Sequence, residues 1–109
     1  MVRGDYQDET GTIFKTKKDP TQVQNGYFLE GRINGYGTAE YKSGDVYTGY
    51  FKDGKRNGTG QMSILQFNDI IMNNEIAKFD GNWKFNNRNG KGSMVWPDGS
   101  KFEGTWVND

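Results

Sequence analysis

The chain has 109 residues, 14 basic and 14 acidic, and a formal net charge of zero, so no global field draws it to nucleic acid or to an anionic membrane. It contains neither cysteine nor histidine, which excludes thiolate and imidazole nucleophiles, disulfides and Cys/His zinc sites, and the reading predicts no metal and no cofactor. Leu, Ile, Val and Phe supply only 20 residues, yet 16 aromatics and 16 glycines accompany them, and disordered chains are poor in aromatics.

The N-terminal stretch MVRGDYQDETGTIFK lacks the apolar run of a signal peptide, and no long apolar run occurs anywhere, so a soluble cytoplasmic protein is expected. Arg3-Gly4-Asp5 spells an integrin-binding tripeptide, which in a chain without secretory features reads as chance. Gly11-Thr12-Ile13-Phe14-Lys15 looks like Gly37-Thr38-Ala39-Glu40-Tyr41, but reaching Gly26 in step takes three extra residues. Residues 1–22 are therefore read as a degenerate repeat or an N-terminal tail.

From Gly26 onward the chain repeats. Gly26-Tyr27-Phe28, Gly49-Tyr50-Phe51, Gly81-Asn82-Trp83 and Gly104-Thr105-Trp106 share the form Gly-x-aromatic. The first two are 23 residues apart, as are the last two, and the middle pair is 32 apart, or 23 plus nine. Five residues after the first three of these glycines stands Gly31, Gly54 or Asn86, and nine after them a Gly-x-Gly begins at Gly35, Gly58 or Gly90, each preceded by Asn. Within a unit, Tyr47, Gly49 and Phe51 alternate on one face of a strand, as do Phe79, Gly81, Trp83 and Phe102, Gly104, Trp106. The central glycine leaves room for a neighbouring ring. A polar turn such as Lys52–Asn57 then reverses the chain, with Gly54 or Asn86 in a left-handed conformation. The return strand places Ala39 and Tyr41, Met62 and Ile64, or Met94 and Trp96 on one face, and Ser43-Gly44-Asp45 or Pro97-Asp98-Gly99 turns into the next unit.

This register disposes of two short matches. Gly49-Tyr50-Phe51-Lys52-Asp53-Gly54-Lys55 satisfies the phosphate-loop pattern G-x-x-x-x-G-K, but Arg56 stands where a hydroxyl must meet magnesium, and two glycines within three residues follow. Gly26–Ile33 and Gly81–Arg88 occupy the same places, so the match is one repeat's strand and turn. Asn57-Gly58-Thr59 is a formal glycosylation sequon and reads as a turn.

The nine extra residues fall between Gly60 and Gly81. Leu65 and Phe67 continue an alternating strand, Ile70-Ile71-Met72 is apolar, Asn73-Asn74 suits a turn, and Glu75–Lys78 returns into Phe79. A lengthened hairpin or short apolar lobe is predicted, its tip either folded back on the sheet, the favoured outcome, or held for a partner.

The pattern Y-x-G-x-[WF]-x-x-G-x-x-x-G-x-G resembles the MORN repeat, and VYTGYFKDGKRNGTG at 46–60 fits it almost completely. The resemblance covers 24–109, with units at 24–46, 47–78 (insertion around 66–78), 79–101 and, in part, 102–109; Gln24 and Asn86 depart from it. It implies an all-β fold, a single elongated, twisted antiparallel sheet of consecutive β-hairpins with about eight strands. The strand and turn spacing predicts the same topology, because tight turns between neighbours need no crossover helices. The chain stops after the first strand of a further unit, which reads as a longer array cut short or as a final edge strand.

The resemblance further implies a non-catalytic scaffold or adaptor in a cytoskeletal, ciliary or membrane-junction assembly, and the absence of convergent carboxylates, His and Cys agrees that the chain is no enzyme. A protein partner, or a second copy, is expected on the aromatic face of Phe28, Tyr41, Tyr47, Phe51, Phe79, Trp83, Trp96, Phe102 and Trp106, which otherwise serves only to hold the sheet together. The alternatives are an acidic-phospholipid surface met by Lys52, Lys55, Arg56, Lys84, Arg88 and Lys91, or an appendage that positions a catalytic domain in a longer chain; nucleic acid is not expected.

Overall fold

Two consecutive residues with positive φ reverse the chain in three of the hairpins: Glu30-Gly31 (52° and 82°), Asp53-Gly54 (49° and 85°) and Phe85-Asn86 (49° and 72°). Such pairs make the tightest two-residue turns, whose twist matches that of the strands they join. The computed structural model, which describes residues 6–7 and 12–109, accordingly contains nine antiparallel strands: β1 (Tyr6–Gln7), β2 (Ile13–Lys18), β3 (Gln22–Leu29), β4 (Arg32–Tyr41), β5 (Val46–Lys52), β6 (Lys55–Asn68), β7 (Asn73–Lys84), β8 (Asn87–Val95) and β9 (Lys101–Trp106). They lie in one sheet in chain order, β1 being only two residues long, with extents of 50 × 31 × 19 Å. The predicted array of hairpins is thus present. Arg3-Gly4-Asp5 and Gly11 lie outside the described residues.

The hairpin turns are shorter than the sequence reading made them. Lys55, Arg56 and Asn57 belong to β6, because Asp53-Gly54 alone completes the reversal and Lys52 pairs with Lys55. The N-terminal register also differs from the expected likeness of Gly11 to Gly37. Lys15 stands opposite Gly26, as Gly37 stands opposite Gly49. A tight connection sets this register: Asp19 Oδ1 accepts from the amides of Thr21 (2.8 Å) and Gln22 (3.0 Å) and from the Thr21 hydroxyl (2.7 Å).

A row of glycines crosses the sheet. Gly26, Gly37, Gly49, Gly60, Gly81, Gly92 and Gly104 are paired in turn from β3 to β9. Aromatic rings lie on this row: a Cβ added to Gly60 would sit 2.1 Å from Tyr47 Oη and 2.4 Å from its Cζ, and one added to Gly92 2.4 Å from Phe79 Cζ. The predicted space for a ring is therefore filled. In the first unit Gln24 brings no ring, and Ile33 Cδ1 covers Gly37 instead, 2.9 Å from where a Cβ would be. The other glycine of each Gly-x-Gly has a separate task, since Gly58 takes φ 105° beside the register shift between Gly49 and Phe51.

The rings meet edge to face in one continuous line, Phe51–Tyr47–Trp83–Phe79–Trp106–Phe102, with centroids 5.0–5.6 Å apart. Each contact contributes about 0.5–1.5 kcal/mol beyond the area it removes from water. With Phe28, Ile33, Ala39, Met62, Ala77 and Met94 the inner rings form the buried core on one face of the sheet.

The insertion lengthens the β6–β7 hairpin, with pairing from Gly58↔Trp83 out to Asn68↔Asn73. Its turn is Asp69–Met72, not Asn73-Asn74, which pair with Asn68 and Phe67. The favoured folding-back does not occur: Ile70 is 92% and Met72 74% exposed, because a ladder paired to its last residue holds the tip straight out from the sheet.

Candidate functional site

The aromatic face expected to receive a partner is mostly spent on packing. Phe28, Tyr47, Phe51, Phe79 and Trp83 are each at most 6% exposed, Tyr41 and Trp106 are half-buried, and only Trp96 and Phe102 reach solvent appreciably. A single layer suffices for much of this burial because Tyr47 rests on Gly60 and Phe79 on Gly92 of the next strand, with no side chain between ring and backbone. Burial pushes the Tyr47 phenol well above its ordinary pKa, while its hydroxyl donates to Tyr50 O at 2.8 Å.

Two of the six cations expected to meet an acidic-phospholipid surface also belong to this face. The Arg56 guanidinium lies 4.9 Å from the Trp83 ring and 5.4 Å from that of Tyr41, and donates to Tyr41 Oη and to Asn86 O, both at 2.7 Å. Arg88 repeats the arrangement 4.6 Å from Trp106 and is paired with Asp109. Ile33 occupies the equivalent place in the first unit and is fully buried. Lys52, Lys55, Lys84 and Lys91 are exposed, but Lys91 sits in mid-strand opposite Thr105, so the six do not line one edge. Arg56→Ala is expected to lower stability by about 1–3 kcal/mol, and Arg56→Lys to restore little of it, since an ammonium cannot both stack flat and donate in two directions. Thermal unfolding of the two variants checks this.

The opposite face carries what sequence reasoning passed over. Phe14, Tyr27, Tyr36 and Tyr50 project there from four neighbouring strands, each 46–53% exposed. Phe14 meets Tyr27 edge to face at 4.9 Å, and Tyr36 meets Tyr50 at 5.4 Å. The signal was present in the alternation, because the middle residue of Gly-Tyr-Phe must point away from the ring that follows it. From Tyr36 and Tyr50 a shallow depression runs along the back of the glycine row past Thr48, Thr59, Gln61 and Asp80. Beyond Asp80 it continues past Lys91, Ser93, Glu103 and Thr105. This outer face thus grades from aromatic on β2–β5 to polar and charged on β7–β9. Among the described residues no group of three or more acidic side chains is placed to hold a metal ion.

Comparison with known families finds the model of the MORN repeat matching residues 25–46, 47–63 and 79–101. No curated protein matches the chain.

Proposed function

Because the chain belongs to the MORN-repeat family, we propose that it is a non-catalytic binding module that holds a protein partner on the outer face of its sheet. The observation that carries this reading is the exposed line of Phe14, Tyr27, Tyr36 and Tyr50. These rings are not required by the core, and Tyr in particular offers a large contact area and a hydroxyl at small entropic expense. An extended segment laid across the strands would stack on the rings and then meet Asp80, Lys91 and Glu103, whose alternating charges suit a polar sequence. We place the protein in the cytoplasm, as a scaffold within a cytoskeletal, ciliary or membrane-junction assembly. An acidic-lipid surface has less support, since Arg56 and Arg88 are held against rings and the remaining lysines are spread over different parts of the sheet.

Tyr36→Ser combined with Tyr50→Ser tests the reading. Partner retention in a pull-down read by mass spectrometry is expected to fall about tenfold or more, with the melting temperature nearly unchanged because both rings are half-exposed. Undiminished retention of the same partner by this variant would move the site elsewhere.

A further inference from the structure

Strand β7 has at each end a bulky apolar residue in a backbone conformation usually left to glycine, asparagine or aspartate. Met72 (φ 54°) closes the tip of the long hairpin and Phe85 (φ 49°) opens the turn that follows β7. They are 74% and 59% exposed, so neither repays its conformation by packing into the core. The other hairpins place Glu30 and Asp53 where this one has Phe85.

What surrounds the two residues is complementary. The finger formed by 64–77 is two-sided: Leu65, Phe67 and Ile76 share the outer side, whereas Gln66 and Glu75 share the other, and Ile70, Ile71 and Met72 cap its end. Asp69 and Glu75 are its only charges. The tip is also prepared to leave water, because Asn68 Oδ1 accepts from the amides of Ile70 (2.9 Å) and Ile71 (3.3 Å). At the other end of β7, Phe85 forms one wall of a depression lined by Arg32, Lys52, Lys55 and one carboxylate, Asp53. A second hollow behind Phe85 reaches Trp83 and Lys84. An acidic, apolar finger and a cationic, apolar socket therefore stand at opposite ends of one strand. A strand of 12 residues separates them by about 40 Å, so no molecule fills its own socket.

We propose that the finger of one copy docks in the Phe85 socket of the next. The contact is heterologous, with different surfaces on the two partners, so it propagates into a filament or closes into a ring rather than stopping at a symmetric dimer. It is centred on Phe85 and the hairpin tip rather than on the outer-face stripe, and thus goes beyond the binding-module reading.

Sedimentation velocity over a wide concentration range tests it, using the whole chain and two variants. One combines Ile70→Ser with Met72→Asn in the finger; the other is Phe85→Asn in the socket. Asparagine is at ease in the left-handed conformation, so both variants are expected to keep the wild-type circular dichroism. The wild type is expected to grow past the dimer with concentration and to be weakened by salt. Each variant alone is expected to associate at least about tenfold more weakly. An equimolar mixture of the two is expected to recover association and to stop at a dimer, because one intact finger and one intact socket remain. A wild type that stays monomeric, a mixture that stays monomeric, or assembly that survives Phe85→Asn but not the finger change would each overturn the proposal. The Tyr36→Ser, Tyr50→Ser protein is expected to assemble normally, which separates a failure here from a failure of the outer-face reading.

Discussion

Gly60→Ala is expected to lower stability by about 3 kcal/mol or more, measured as a shift of the urea midpoint at unchanged slope. The new methyl would stand 2.1 Å from Tyr47 Oη and 2.4 Å from Cζ, and the ring has little freedom to withdraw. Its hydroxyl is tied to Tyr50 O, and its two sides face Phe51 and Trp83 at 5.0 and 5.4 Å. Ordinary loss of glycine freedom would amount to far less, and would even favour alanine in a strand. The steric origin is checked in the Tyr47→Ala background, where the added methyl meets no ring and the same substitution is expected to lose most of its effect. Full additivity of the two changes would mean that ring and glycine do not touch.

Truncating the rings themselves is expected to cost at least as much. Tyr47→Ala and Trp83→Ala should each destabilise by about 3–5 kcal/mol, a large share of the roughly 5–15 kcal/mol that a domain possesses. Tyr47 is fully buried. Trp83 touches Tyr47, Phe79 and Arg56, and its Nε1 donates to Gly60 O at 3.2 Å. Calorimetric unfolding of both variants checks the ranking against the half-exposed Tyr50, whose truncation should move the transition little. Partner-binding experiments on Tyr47 or Trp83 would therefore read unfolding rather than recognition.

The repeat, its turns and its strand order were legible because glycine and asparagine answer to local backbone demands: Gly54 and Asn86 take the left-handed conformation their positions announced. Which rings pack and which project was less legible. Aromatic content alone does not say whether a ring packs or projects, and only the pairing of glycine with glycine across seven strands shows that Tyr47 and Phe79 have no side chain beneath them. Arg56 and Arg88 were counted among exposed, lipid-facing cations because their residue type suggests it, yet the apolar Ile33 stands at the same place in the first unit, and the structure buries it and sets both guanidinium groups on rings. For the insertion, hydrophobic content suggested collapse onto the sheet. The eleven paired positions from Gly58↔Trp83 to Asn68↔Asn73 make a stiff ladder instead, and stiffness outweighed the exposure of three apolar residues at its tip.

Hydroxyl-radical footprinting of the chain, free and with the partner it retains, tests the assignment of the two faces most directly. Tyr36 and Tyr50 are expected to be oxidised in the free chain and protected in the complex, with Tyr47, Phe79 and Trp83 unreactive in both. Oxidation of Tyr47 and Trp83 in the free chain, followed by their protection on binding while Tyr36 and Tyr50 remain reactive, would contradict it.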